Sequence, residues 1–294
     1  MSALRGAAAA GASAALFGSL AVLGKLPATP PFTVVLWMNV LAGVAFLPFL
    51  LRHPVARRDL PLVAVIAVCG GSLAPVLYLV GLSMTSSVTA ALLLTTEAGF
   101  TLLIAFALRE RASPRGYVAM AGMLLLAVVV ATNLDFTALS LAVGNLLIVA
   151  ATLGWGIDNN VSRVLSGRNA VPALVAAKCL VASALLAVVV AVTGSPPLPL
   201  AADLPVVLVL GLLVHGTAIW MFYLGLREIG AMRTGAIFTL SAVVGAVAGV
   251  IVFPGQVLSV VQVAAGAGMI GLALVLSREA RDAPAPENGN TASR

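Results

Sequence analysis

Stretches of about 20 mainly apolar residues follow one another along this chain with only short connections, and that length is what a helix needs to cross a bilayer. The breaks fall at proline, glycine and charge: Pro27, Pro30 and Pro31, then Pro54 and Pro61, then Ser195-Pro196-Pro197. They mark ten spans, roughly 5–25, 32–51, 61–82, 86–108, 115–132, 139–162, 171–193, 204–226, 232–253 and 257–277. Within hydrocarbon every backbone N–H and C=O must be satisfied internally, which leaves helices or a closed barrel. Continuous apolar 20-mers lack the alternation of barrel strands. The sequence therefore predicts an all-α integral membrane protein with ten transmembrane helices.

Charge gives the chain a direction. Only 9% of residues are charged and 61% are hydrophobic, whereas about a quarter are charged in soluble domains. The net charge of +6 does not imply nucleic acid, because the basic residues sit in short loops and no basic patch is interleaved with aromatics. With the N-terminus inside, Arg5, Arg52, Arg57, Arg58, Arg109, Arg111, Arg115, Arg163, Arg168, Arg227, Arg233, Arg278, Arg281 and Arg294 all fall on the cytoplasmic side. Lys25 is alone on the other side with Asp135 and Asp203, and Lys178 lies within a span. The positive-inside rule then places both termini in the cytoplasm, in a cell inner (cytoplasmic) membrane. The N-terminal apolar run has the look of a signal peptide but continues to Leu23 and reads as the first span. Cys69 and Cys179 lie inside apolar spans without CxxC or Cys/His spacing, so no metal, cofactor or disulfide is expected.

Ten spans divide into five and five, residues 1–135 and 136–277, and an odd number per half inserts the second half upside down. Residues 278–294, charged and rich in Pro, Asn and Gly, read as a disordered cytoplasmic tail. At an offset of 144, Gly81-Leu82 falls on Gly225-Leu226, Thr95 on Thr239, Ala98 on Ala242 and Ala121-Gly122 on Ala265-Gly266. Inverted repeats around a midplane site are a recurring transporter plan.

Four stretches carry a resemblance: LFGSLAVLGKL at 16–26, YLVGLSMTSSVTAALLLTTEAGFTLLIAFALRER at 78–111, LGWGIDNNVSR at 153–163 and FYLGLREIGAMRTGAIFTL at 222–240. With the five-plus-five layout they resemble the drug/metabolite transporter superfamily, in its EamA-type branch. The Trp-Gly-x-Asp-Asn-Asn stretch is most similar to the aromatic amino-acid exporter group. Ala98 and Ala242 stand where family members often have Pro, and Asn39 where they have a base. The resemblance implies a carrier of small molecules with no catalytic residues.

The polar residues inside the spans are the candidate site, since ionisable groups in a membrane are costly and default to function. Glu97 reads as a ligand for an ammonium or hydroxyl group, as a proton carrier, or as a helix-to-helix hydrogen bond; Phe100 shares its face. In the sixth span Asn145, Thr152, Trp155, Asn159 and Ser162 share an arc of about 100°. Trp155 and Asn159 could line a cavity, or pack. Asp158 is a second proton-coupling candidate or an interfacial ion pair. Lys178 could bind a carboxylate, snorkel, or pair with Asp158. Tyr78, His215 and Tyr223 could donate hydrogen bonds to a substrate or to a neighbouring helix; Trp37 and Asn39 are weaker candidates. Gly245 and Gly249 form a GxxxG pair, for packing or for dimerisation, so the chain is a monomer or a homodimer.

The expected function is export of small metabolites, foremost aromatic amino acids, by alternating access around a midplane cavity. A drug, nucleoside or organic-acid carrier of the same fold is an alternative. So is an intramembrane enzyme using His215, although GAS at 11–13 and GGS at 70–72 form no nucleophile motif and read as accidents of a Gly/Ala-rich chain.

Overall fold

A computed structural model describes residues 2–107 and 140–282, together with isolated helical positions between 115 and 130. The described residues are helical or irregular, with no strand among them. Thirteen helices organise them: α1 Ser2–Gly18, α2 Leu20–Leu23, α3 Pro31–Arg52, α4 Leu60–Ile66, α5 Ala74–Ser83, α6 Ser87–Leu93, α7 Thr96–Ala107, α8 Ser140–Ser166, α9 Val171–Thr193, α10 Leu204–Val209, α11 Ala218–Phe238, α12 Leu240–Val252 and α13 Val260–Asp282. Six continuous helical segments among them are long and apolar enough to cross a membrane: Ala3–Leu23, Pro31–Arg52, Arg57–Ser83, Val171–Thr193, Ala201–Ala231 and Arg233–Val252. Most of the span expected at 115–132, the Arg109-Glu110-Arg111 cluster and Asp135 lie outside the described residues. So does 283–294; α13 continues through Arg278–Asp282, where the sequence suggests the tail begins.

The spans are less regular than their hydropathy implies. The expected continuous helix over 86–108 breaks at Leu94-Thr95, where the ladder tightens: Glu97 N–H bonds Leu94 O at 3.1 Å and Ala98 N–H bonds Thr95 O at 3.3 Å. The Thr95 hydroxyl donates to Leu92 O at 2.7 Å, and that of Thr96 to Leu93 O at 2.7 Å. Ser and Thr bonding back in this way bend helices. The break recurs 144 residues on, where Thr239 donates to Ala236 O at 2.7 Å and Ala242 N–H bonds Thr239 O at 3.1 Å. Ser19 does the same to Leu16 O at 2.6 Å and separates α1 from α2.

Two spans also contain wide turns. Ala67–Leu73 and Leu210–Thr217 are π-helical, an uncommon geometry concentrated at functional positions, and they occupy nearly the same place 144 residues apart. Each span begins with one 3₁₀ turn, Arg57–Asp59 or Ala201–Asp203, again at that separation. Pro75 follows the first π segment and has no N–H to give Gly71 O. Asn39 Nδ2 takes that carbonyl at 2.8 Å and Val35 O at 2.9 Å.

The two 3₁₀ turns are tied to distant loops through matching carboxylates. Asp59 accepts from Asn169 Nδ2 at 2.9 Å and lies 3.5 Å from Arg168. Asp203 accepts from the Thr29 N–H at 2.8 Å and the Thr29 hydroxyl at 2.6 Å, and Leu200 N–H donates to Thr29 Oγ1 at 3.0 Å. Trp37 Nε1 donates to Pro197 O at 2.9 Å in the same region, away from the cavity described below.

Small residues set the closest crossings. A Cβ on Gly245 would stand 2.7 Å from Gly18 O and 2.8 Å from Ala91 Cβ, and one on Gly249 would touch Ser87 and Val88. The GxxxG pair therefore packs α12 against α1 and α6 within the chain. Gly81 and Gly144 seat α8 on α5, and Gly154 seats it against Ala74.

Candidate functional site

These crossings leave a cavity of about 380 Å³, at the small end of ligand pockets. It draws Ser13 and Phe17 from α1, Glu97 from α7, Trp155, Asp158 and Asn159 from α8, Lys178 from α9, His215 from the second π segment, and Ala218, Ile219, Phe222, Tyr223 and Phe238 from α11.

One side holds a closed polar knot. Lys178 Nζ lies 2.5 Å from Asp158 Oδ2 and donates to the Tyr223 hydroxyl at 3.0 Å. Tyr223 donates to Asp158 Oδ1 at 2.9 Å, and Ser162 to the same oxygen at 2.8 Å. All are buried. A lysine and an aspartate are tolerable there because each neutralises the other and hydrogen bonds fill the carboxylate. The knot needs room at Gly70, where an added Cβ would fall 2.2 Å from Asp158 Oδ2. At Gly71 it would fall 2.8 Å from the Ala182 Cβ. The 70–72 stretch, which looks compositional in the sequence, supplies the gap that the ion pair occupies.

Glu97 is arranged differently. Its Oε1 accepts from Asn159 Nδ2 at 2.8 Å, and the same amide reaches Thr101 Oγ1 at 3.1 Å. Its Oε2 is buried and has no hydrogen-bond partner. The helix break at Thr95 sets this residue at the start of α7, where Thr96 Oγ1 and Thr152 Oγ1, 2.7 Å apart, join α7 to α8. Asn160 ties the next turn to Thr101 O at 2.8 Å.

Aromatic rings form the rest of the wall. Phe17 meets Trp155 edge-on at 5.2 Å between centroids and Phe238 at 5.2 Å; Phe238 meets Phe222 at 4.7 Å. Opposite them, His215 Nε2 lies 3.1 Å from Asn39 Oδ1. The Asn39 amide nitrogen is turned to two carbonyls, so its oxygen faces the ring and the histidine hydrogen sits on Nε2. Ser13, also on the wall, gives its hydroxyl to Ala218 O at 2.7 Å. Neither group forms a nucleophile–base pair, and no group of three His, Cys, Asp or Glu suited to a metal occurs among the described residues.

The comparisons with known proteins agree with a membrane-embedded site of this kind. Residues 4–132 and 142–278 match the EamA-like transporter family. The chain belongs to the EamA-like transporter family. A protein of Methanothermobacter thermautotrophicus described as an uncharacterized transporter is 29% identical over 256 residues, which cover 79% of this chain and 74% of that protein. A crystal structure titled only as that of a protein superposes with a TM-score of 0.66 at 21% identity, covering 96% of this chain and 98% of that one; it shows the fold alone. This EamA-like chain is a multi-pass membrane transporter, and such a protein implies a small-molecule substrate and a bilayer around it.

Of the residues singled out in the sequence, Glu97, Trp155, Asp158, Asn159, Lys178, His215 and Tyr223 share the cavity. Phe100 does not: it faces α8, where a Cβ on Gly156 would stand 3.0 Å from the Phe100 Cβ. The bend at Thr95 shifts the helical phase that had put it beside Glu97. Tyr78 stands behind the wall, its ring 5.6 Å from that of Trp155 and its buried hydroxyl without a partner. Sequence reasoning missed Ser13, Phe17, Phe222 and Phe238. Phe222 and Phe238 stand 16 residues apart in a helix that turns at Gly230, where φ is +80°, so no helical arc joins them.

Proposed function

We propose that this transporter exports small metabolites that carry an amino group on an aromatic or apolar body, with aromatic amino acids the first class to test. It works by alternating access between two inverted five-helix halves, in a ten-helix chain with both termini in the cytoplasm of a cell's inner membrane. The observation that carries the reading is a cavity built from both halves, with an acid holding one oxygen free among aromatic rings. The inverted repeat is supported by the recurrence, 144 residues apart, of the 3₁₀ turn, the π segment and the threonine break.

The substrate-binding residues in this reading are Glu97, Trp155, Asn159, Lys178, His215 and Tyr223, with Tyr78 supporting Trp155 from behind. Trp155 stacks the apolar body of the ligand, and Asn159 aims the acid. Glu97 and Asp158 are the proton-coupling candidates; Glu97 is the one with a free oxygen. Opposed movement of the halves would expose the cavity to each face in turn.

Purified protein in liposomes is expected to move labelled phenylalanine or tryptophan down its gradient, and Trp155→Ala to slow that movement at least tenfold. Saturable flux confined to nucleosides or organic acids would replace the substrate class, and hydrolysis without solute flux would replace the carrier. If Glu97→Gln keeps the parent's pH dependence of transport, Glu97 is not the proton carrier.

A further inference from the structure

We infer that the cavity selects by the ammonium group alone and favours aromatic amines over the corresponding amino acids. The inference rests on the carrier reading above and deepens it. Among the cavity-lining residues the charged side chains are Glu97, Asp158 and Lys178. Lys178 is 2.5 Å from Asp158 Oδ2, and both carboxylate oxygens of Asp158 are bonded. That pair is neutral as a unit and already satisfied.

Glu97 is left as the acid with unused capacity. It is 5% exposed, Asn159 occupies Oε1, and Oε2 is unpartnered inside the cavity. Phe17, Trp155, Phe222 and Phe238 surround the same space. A carboxylate at one point and ring faces around it match an alkylammonium on an aromatic body: the ammonium takes the oxygen by a charge-assisted bond and gains from the rings.

A zwitterion brings a carboxylate as well. To meet a cation it must draw Lys178 from Asp158, which leaves a buried aspartate without its partner. The other cavity-lining base is His215, and its Nε2–H is given to Asn39. Such a site discriminates by leaving the unwanted group unpaired, the stronger form of selectivity.

Isothermal titration of the detergent-purified full chain with four indoles tests this: tryptamine, tryptophan methyl ester, tryptophan and the neutral tryptophol. The two esterified or decarboxylated amines are expected to bind at least tenfold more tightly than tryptophan, a gap of about 1.4 kcal/mol. Glu97→Gln should weaken tryptamine at least tenfold and leave tryptophol within about twofold. Tryptophan binding as tightly as tryptamine in the unmodified protein overturns the inference, whether or not the variant folds. Unchanged tryptamine binding by a folded Glu97→Gln also overturns it. Liposome flux separates this failure from that of the carrier reading: tryptophan flux without amine preference overturns the selectivity alone, and no saturable flux of any of the four overturns both.

Discussion

Replacing Gly70 by alanine adds one methyl group, and the structure says where it must go. The new Cβ would stand 2.2 Å from Asp158 Oδ2, 2.4 Å from Cγ and 2.6 Å from Cβ. Rotating the carboxylate cannot relieve all three contacts, because the last is with the carbon nearest the α8 backbone. Either α8 moves away from the π segment or Asp158 turns off Lys178, Tyr223 and Ser162. Both routes break a buried ion pair, and removing one side of such a pair costs about 3–5 kcal/mol. Alanine's better helix propensity returns at most about 1 kcal/mol, so a net loss of roughly 2–4 kcal/mol is expected. Thermal unfolding in detergent should show a midpoint lowered by several degrees. Gly271→Ala is the control, since a Cβ there meets nothing within 4 Å; it should melt like the parent or slightly higher. A Gly70→Ala protein that melts with the control would refute both the contact and the role of the glycine.

The ion pair itself predicts a sign change. Lys178→Met or Asp158→Asn alone should destabilise by about 3–5 kcal/mol, while the double variant should recover most of the loss, read from the same melts. At the other tie, Thr29→Val removes two of the three bonds that hold Leu200 and Asp203, and a loss of about 1–2 kcal/mol follows. Faster amide hydrogen exchange confined to residues 198–206 would report it, and exchange unchanged from the parent would dismiss the tie.

Much of the membrane character could be read in the sequence, because bilayer thickness imposes a length and a polarity that few chains meet by accident. Glu97, Trp155, Asn159, Lys178, His215 and Tyr223 stood out for the same reason: polar or large groups in a costly medium. What hydropathy does not encode is departure from the α-helical period. The break at Thr95 and the π turns alter phase partway along a span, so Phe100 left the expected face. Asn39 offers a second case. Its purpose lies in a carbonyl released by Pro75, 36 residues away, and in a histidine from the other half. Gly70 gave no signal, since glycine is common in this chain and its role depends on which side chain approaches it.

The π segments also act as counters. Each holds a helix at a wider winding over several residues, and one residue removed from 67–73 would let the helix close to its ordinary pitch without interruption. Hydropathy and length would hardly change. Everything beyond the deletion would nonetheless rotate by about 100° relative to what precedes it, carrying Tyr78 away from Trp155. The same deletion within 210–217 would turn Phe222 and Tyr223 out of register with His215 or with Lys178. In these two stretches the number of residues, more than their identity, fixes which side chains meet, so single-residue deletions there should be far more harmful than most substitutions.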